Sequence, residues 1–196
     1  PVAGKLNWRD FLQCCVSKEE GLKVVGQLNS AQSDLLDMSG GTYEQPRLSV
    51  VDIHTDTAVP PRESTKKREA YFLDYAAAIR KVAKMPMMVT GGFRTRAGME
   101  APLVAGECDV IGLGRPLCTH ADFPKQLLLR KTDEAPRYEK TLMIKPTGLF
   151  SPTSPVLCLR LLNVRGSQGW YYIQLFRLAD RGAPDLKLGV LSSFFR

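Results

Sequence analysis

Short apolar runs, three of which stop at glycine, recur along the chain, separated by stretches in which apolar residues return every three or four positions. Val2–Leu6 runs into Lys5-Leu6-Asn7, Asp34–Met38 into Ser39-Gly40-Gly41, Met87-Met88-Val89 into Gly91-Gly92, and Val110-Ile111 into Gly112-Leu113-Gly114. Uninterrupted runs of this length, bounded by turn residues, predict strands of a parallel sheet covered on both faces. Between the first two, Ser17-Lys18-Glu19-Glu20 forms a capping box, in which the serine oxygen and the glutamate satisfy the first free amides of a helix. The spacing of Leu22, Val25 and Leu28 carries that helix to about Leu28 with one buried face. Thr65 caps a second helix running to about Lys84, with Tyr71, Tyr75, Ile79 and Val82 in helical register. A third is predicted over 96–105, where Pro102 removes a hydrogen bond and should kink or shorten it. A fourth, Asp122–Arg130, tolerates Pro124 in its first turn.

The resulting order, βαβαβαβα, predicts an α/β fold that is either a doubly wound sheet or a TIM barrel. Glycine-rich ends on the last two strands favour the barrel, whose late strands commonly bind phosphate. Four βα units fill only half of the roughly 250 residues an eightfold barrel needs. From Glu139 the pattern changes to a linker with Pro146, Pro152 and Pro155, followed by an apolar tail. Trp170–Asp180 reads as a helix closed by Gly182, and Pro184–Phe195, with Leu188, Leu191 and Phe195 on one side, as another. The chain thus divides into 1–138 and an extension, 139–196. Trp170, Tyr171, Tyr172 and Phe176, at helical spacing, read as core rather than as a stacking platform, and 141–166 matches no motif.

Composition narrows this picture. The 196 residues are 44% hydrophobic, enough chain to bury a core. A formal charge of +7 and a pI near 9.3 suit nucleic acid, an anionic membrane surface or a phosphorylated ligand. The basic residues are scattered, however, and the densest cluster, Lys66-Lys67-Arg68, has no interleaved aromatics, so it reads as a solvated face and nucleic acid is not expected. Five cysteines, Cys14, Cys15, Cys108, Cys118 and Cys158, form no CxxC pair, which points to a reducing, cytoplasmic compartment. The stretch Pro155–Val164 is too short to span a bilayer, so no membrane anchor is expected. The N-terminal PVAGKLNW lacks a signal-peptide pattern and reads as a chain entered in mid-fold. His54, between Asp52 and Asp56 in the Pro- and Thr-rich stretch 45–64, reads as a surface loop residue, and no metal site is expected.

The candidate chemistry lies at the strand ends. Gly91-Gly92 and Gly112/Gly114 allow positive φ and close approach of the backbone, so that amide groups can face an anion, and Arg115 adds a charged fork. Such glycines also serve simply as tight βα turns, and two of them about twenty residues apart, the second with an arginine, favour a phosphate site.

The succession Lys5-Leu6-Asn7, Ser39-Gly40-Gly41-Thr42-Tyr43-Glu44, Thr90-Gly91-Gly92-Phe93-Arg94 and Gly112-Leu113-Gly114-Arg115-Pro116 resembles the C-terminal half of the old yellow enzyme-like NADH:flavin oxidoreductases, over about residues 1–130. The Trp170–Leu191 tail is similar to that of fungal members. The resemblance implies a partial TIM barrel, strands five to eight of a (β/α)8 barrel with C-terminal helices. It implies FMN as cofactor, with hydride taken from NAD(P)H and passed to an activated alkene or quinone-like small-molecule acceptor. On it, Lys5 matches the cation beside flavin N1 and the C2 carbonyl, while Gly91, Gly92, Gly114 and Arg115 match the phosphate-holding segments. The family's acceptor-binding His/Asn pair and its proton-donating tyrosine belong to the other half of the barrel, so no catalytic residue is assigned. Tyr43, Tyr71 and Tyr75 do not take the tyrosine's place, and isolated Cys118 and Cys158 support no iron–sulfur cluster. A half-barrel exposes strand edges that a second copy could cover. Two readings follow, a truncated flavin oxidoreductase and a non-catalytic flavin- or phosphate-binding half-barrel.

Overall fold

The structure, a computed structural model, describes residues 1–7, 18–39 and 73–195. These fall into two compact units, one ending at Leu113 and the other beginning at Gly114. The capping serine Ser17, the 40–44 turn, the 45–64 loop with His54, Lys66–Arg68 and the start of the second helix at Thr65 lie outside the described residues.

In the first unit, β1 (Ala3–Asn7), β2 (Leu35–Ser39), β3 (Met87–Thr90) and β4 (Val110–Gly112) pair in parallel, in sequence order. Helices α1 (Lys18–Ser30), α2 (Leu73–Arg80) and α3 (Arg96–Val104) alternate with them. Strand order without reversal is the singly wound arrangement. Right-handed crossovers between successive neighbours deliver each helix to the same face, whereas a doubly wound sheet requires a switch point. Leu36, Met38, Met87 and Val89 are fully buried, with Val25 of α1 and Ala76 and Ile79 of α2.

Burial alternates along β3 and over Leu35–Met38 of β2, with Ser39 buried as well, so the two-sided coverage predicted from the apolar runs is full on the face of Leu36, Met38, Met87 and Val89 and only partial on the other. The other face carries Lys5, Asp37 and Thr90. β4 departs further, since Val110 is 41% exposed at the edge of the sheet.

The second helix stops at Arg80, four residues before the predicted end. The amides of Val82 and Ala83 both return to the Ile79 carbonyl. Asn29 of α1 then captures the turn, donating to the Val82 carbonyl at 2.9 Å and accepting from the Lys84 amide at 2.9 Å. A second clamp joins α2 to the strands. Arg80 forks onto Asp109, whose carboxylate also accepts the Met87 amide at 2.8 Å. Thr95 caps α3 by accepting from the Gly98 amide, and Pro102 sits buried within a helix that continues to Val104.

The second unit contains α4 (Arg115–Thr119), α5 (Phe123–Leu128), a 3-10 turn at Tyr138–Lys140, the long α6 (Leu157–Arg181) and a 3-10 turn at Val190–Phe194. Two expectations are corrected here. The tail helix starts thirteen residues before Trp170, at Leu157. Gly166 and Gly169 lie inside it, and the tail packs on them: a Cβ at Gly166 would come within 2.5 Å of Val190 and at Gly169 within 3.1 Å of Ser193. The predicted helix over Pro184–Phe195 is instead a strap. Gln174 pairs with both backbone groups of Asp185, Trp170 donates to the Leu188 carbonyl, and Ser193 donates to the Gly166 carbonyl. These bonds hold 185–193 along α6, burying Val190 and leaving Leu191 and Phe195 exposed. The aromatic cluster divides likewise: Trp170 and Tyr171 are core, Tyr172 and Phe176 are exposed. Gly182 closes α6 at φ 68°, as predicted. Among the described residues, no helix is long and apolar enough to cross a membrane.

Candidate functional site

The polar face of the sheet in the first unit presents a cation. Lys5 stands on β1 with its side chain 65% exposed, and parallel pairing sets it opposite Asp37 on β2. Its ammonium lies 4.0 Å from Asp37 Oδ2, close enough for charge attraction without a hydrogen bond. Asp37 is far less accessible, and its other oxygen, Oδ1, accepts from the Thr90 hydroxyl at 2.7 Å. With the ammonium in solvent, the attraction itself contributes about 1 kcal/mol or less to stability.

At the end of β3 the chain turns through Gly91 at φ 145° and Gly92 at φ 75°. Both values fall where side chains are rarely tolerated, so the turn is a glycine turn and its backbone carries no Cβ toward a ligand. Phe93 and Arg94, which follow, are buried, with Arg94 Nη1 donating to the Phe93 carbonyl at 2.7 Å. Gly112, at the end of β4, is not among the positive-φ residues. Its lack of a side chain serves another purpose, since a Cβ there would stand 1.9 Å from Thr90 Oγ1.

In the second unit, Gly114 precedes α4 at φ −108°, so the expected positive φ is absent there. Arg115 begins α4, and its Nη1 lies 4.0 Å from Glu139 Oε1. Glu139 Oε2 accepts from the Tyr171 hydroxyl at 3.2 Å. Trp170 packs edge-on against Tyr171 at 5.2 Å and, at 5.5 Å, against Tyr138. Arg115 is therefore anchored by an acid and a tyrosine of the C-terminal region.

Of the residues expected from sequence, Lys5, Gly91 and Gly92 lie in the first unit and Gly114 and Arg115 in the second. Asp37 and Thr90 were missed. The signal available was a carboxylate inside an otherwise apolar strand, Leu35-Leu36-Asp37-Met38, which a buried parallel strand would not carry without a partner. The cysteines do not join the site. Burial, with the nearby Asp109 and Glu107 charges, pushes the Cys108 thiol up to about 11, and burial also raises Cys118. Among the described residues, no group of three His, Cys, Asp or Glu could hold a metal ion.

Comparison with known proteins gives the geometry a context. The chain is 32% identical over 153 residues to an NADH-dependent flavin oxidoreductase of Talaromyces variabilis, a match covering 76% of this chain and 35% of the relative. It is 32% identical over 150 residues to another of that name from Neonectria sp. (strain DH2), covering 69% of this chain and 18% of the relative. A 2-naphthoyl-CoA reductase solved with 2-naphthoyl-CoA superimposes with a TM-score of 0.52 at 20% identity, over 64% of this chain and 17% of that one, and shares its fold. No family model matches the chain. The resemblance read from the strand-end motifs is borne out: the chain is a relative of the fungal NADH-dependent flavin oxidoreductases, and it spans about a third or less of the length of those two relatives.

Proposed function

We propose that this chain is the flavin-holding part of an NAD(P)H-dependent oxidoreductase of the ene-reductase type, with FMN as its cofactor. The 32% identity to two fungal flavin oxidoreductases carries the reading. The singly wound parallel sheet supports its placement as strands five to eight of a (β/α)8 barrel within 1–138, followed by the 139–196 extension. The donor set fits such a cofactor, because it combines an exposed lysine on a sheet face with a strand end bare of side chains at Gly91 and Gly92.

When bound, FMN supplies the hydride chemistry, accepting from NAD(P)H and delivering to an activated alkene or quinone-like small molecule. The residues of this chain bind and polarise. Lys5 places a positive charge at the pyrimidine end, beside N1 and the C2 carbonyl, where a fixed cation lowers the cost of negative charge. In the first unit Gly91 and Gly92 offer backbone amides to the phosphate. In the second, Gly114 lets the backbone pass closely and Arg115 offers a guanidinium, held by Glu139. A reducing, cytoplasmic setting suits the cysteine usage.

Titration of the purified chain with FMN, followed by flavin fluorescence and absorbance, tests the reading. The protein is expected to turn yellow. Arg115→Ala should weaken binding by roughly tenfold to a hundredfold, the consequence of losing charged hydrogen bonds of about 1.5–3 kcal/mol. A folded, colourless protein that ignores added FMN would overturn the proposal. NADPH oxidation with an enone then separates an oxidoreductase from the second reading, a half-barrel that binds flavin without turnover.

A further inference from the structure

Lys5, Asp37, Thr90 and Gly112 stand one on each strand and form a continuous row across the polar face of the sheet. Pairing sets Lys5 opposite Asp37 and Thr90 opposite Gly112, and Asp37 lies opposite Met88, two residues before Thr90. With a side-chain period of two, all four positions share one face. Each member constrains the next. A Cβ at Gly112 would stand 1.9 Å from Thr90 Oγ1, 2.7 Å from its Cβ and 3.1 Å from its Cα, so only a hydrogen there leaves room for the threonine. Thr90 is β-branched and has few side-chain conformations available. Its hydroxyl donates to Asp37 Oδ1 at 2.7 Å. A carboxylate held by one oxygen is oriented, and the second, Oδ2, faces the Lys5 ammonium at 4.0 Å.

Sheet formation needs none of this, because the backbone ladder is complete without it. Asp37 is only 13% exposed, and withdrawing a carboxylate from water is costly unless its partners are well placed. An apolar residue at this strand position would avoid that cost, so the arrangement is better explained by its effect on Lys5.

We propose that Asp37, oriented by Thr90, is a positioning residue for Lys5. It fixes where the ammonium stands and tempers its charge, and it thereby sets how strongly the chain prefers reduced, anionic flavin to the oxidised form. This inference rests on the flavin reading of Lys5.

The test is the midpoint potential of FMN bound to the full chain, measured with the dissociation constant of oxidised FMN. Asp37→Asn keeps the shape of the side chain and removes its charge. The preference for reduced over oxidised flavin is expected to rise about tenfold, an upward shift of about 30 mV for a two-electron couple. Lys5→Met is expected to shift the potential downward. Thr90→Val, which frees the carboxylate to turn toward water, should give a smaller upward shift, whereas Thr90→Ser, which keeps the donor, should match the unsubstituted chain. Should Asp37→Asn fail to fold, the Thr90 pair decides. Flavin bound at unchanged potential in the Asp37 and Thr90→Val variants overturns this inference alone. A chain that binds no FMN overturns the flavin reading, and this inference with it.

Discussion

At Gly91 and Gly92 the backbone lies at positive φ, whereas at Gly112 and Gly166 it is the space that another residue needs, so four glycines of one appearance in the sequence serve two purposes. The cysteines show the same dependence on surroundings. Cys108 is buried and Cys158 exposed. Burial keeps the Cys108 thiol protonated to about 11, and only the thiolate reacts with alkylating agents. Iodoacetamide at neutral pH is therefore expected to label Cys158 at least ten times faster than Cys108, and the gap should narrow toward pH 11. Peptide mapping by mass spectrometry measures both rates. Equal labelling of the two in the folded chain would contradict the buried placement of β4's entry.

At the scale of elements, α2, β3 and β4 are held in register by Asp109. Its carboxyl is kept below its ordinary 3.8, first by the Met87 amide and then by the Arg80 guanidinium, against a burial that alone would raise it. A folded-state value below the unfolded one means that the contribution is whole above about pH 4 and is lost as pH falls through the folded value. Asp109→Asn is thus expected to cost about 1 kcal/mol at pH 7, discounted for the exposure of the pair, and to reduce the difference between neutral and acid stability. Urea unfolding at pH 7 and pH 3 checks both. Helix positions were legible in sequence where apolar residues kept a helical period, as in α1 over Leu22, Val25 and Leu28. They were not legible where side chains from elsewhere ended or prolonged them. Asn29 stops α2 from a distance of over fifty residues, and the strap over Gly166 and Gly169 keeps α6 unbroken.

At the scale of the whole molecule, the sheet leaves β1 and β4 with one neighbour each among the described residues, and Val110 is exposed on β4. Unpaired edges recruit further strands, which a closed barrel avoids. The chain alone is expected to associate as its concentration rises, and Val110→Lys, a charge on the edge, should weaken that association about tenfold. Sedimentation velocity across a concentration series reads this directly, and a monomer at every concentration would sink the expectation. The same open geometry bears on function, because the matches cover only 35% and 18% of the two relatives.

Sequence alone determined the alternation of elements, the parallel sheet, the glycine turn at Gly91-Gly92 and the kinship. These follow from local spacing and from motifs contiguous in the chain. Tertiary structure alone decided which face of each strand is covered and where the long helix begins. It also showed that Lys5 does not stand by itself. Asp37, Thr90 and Gly112 come from three other strands, separated from Lys5 by 32 to 107 positions, and only strand pairing brings them into one row. The cation anticipated at Lys5 is, in the folded chain, one end of a charge and hydrogen-bond line crossing the sheet. That follows because register, set by backbone hydrogen bonds between distant segments, is written in no single stretch of sequence.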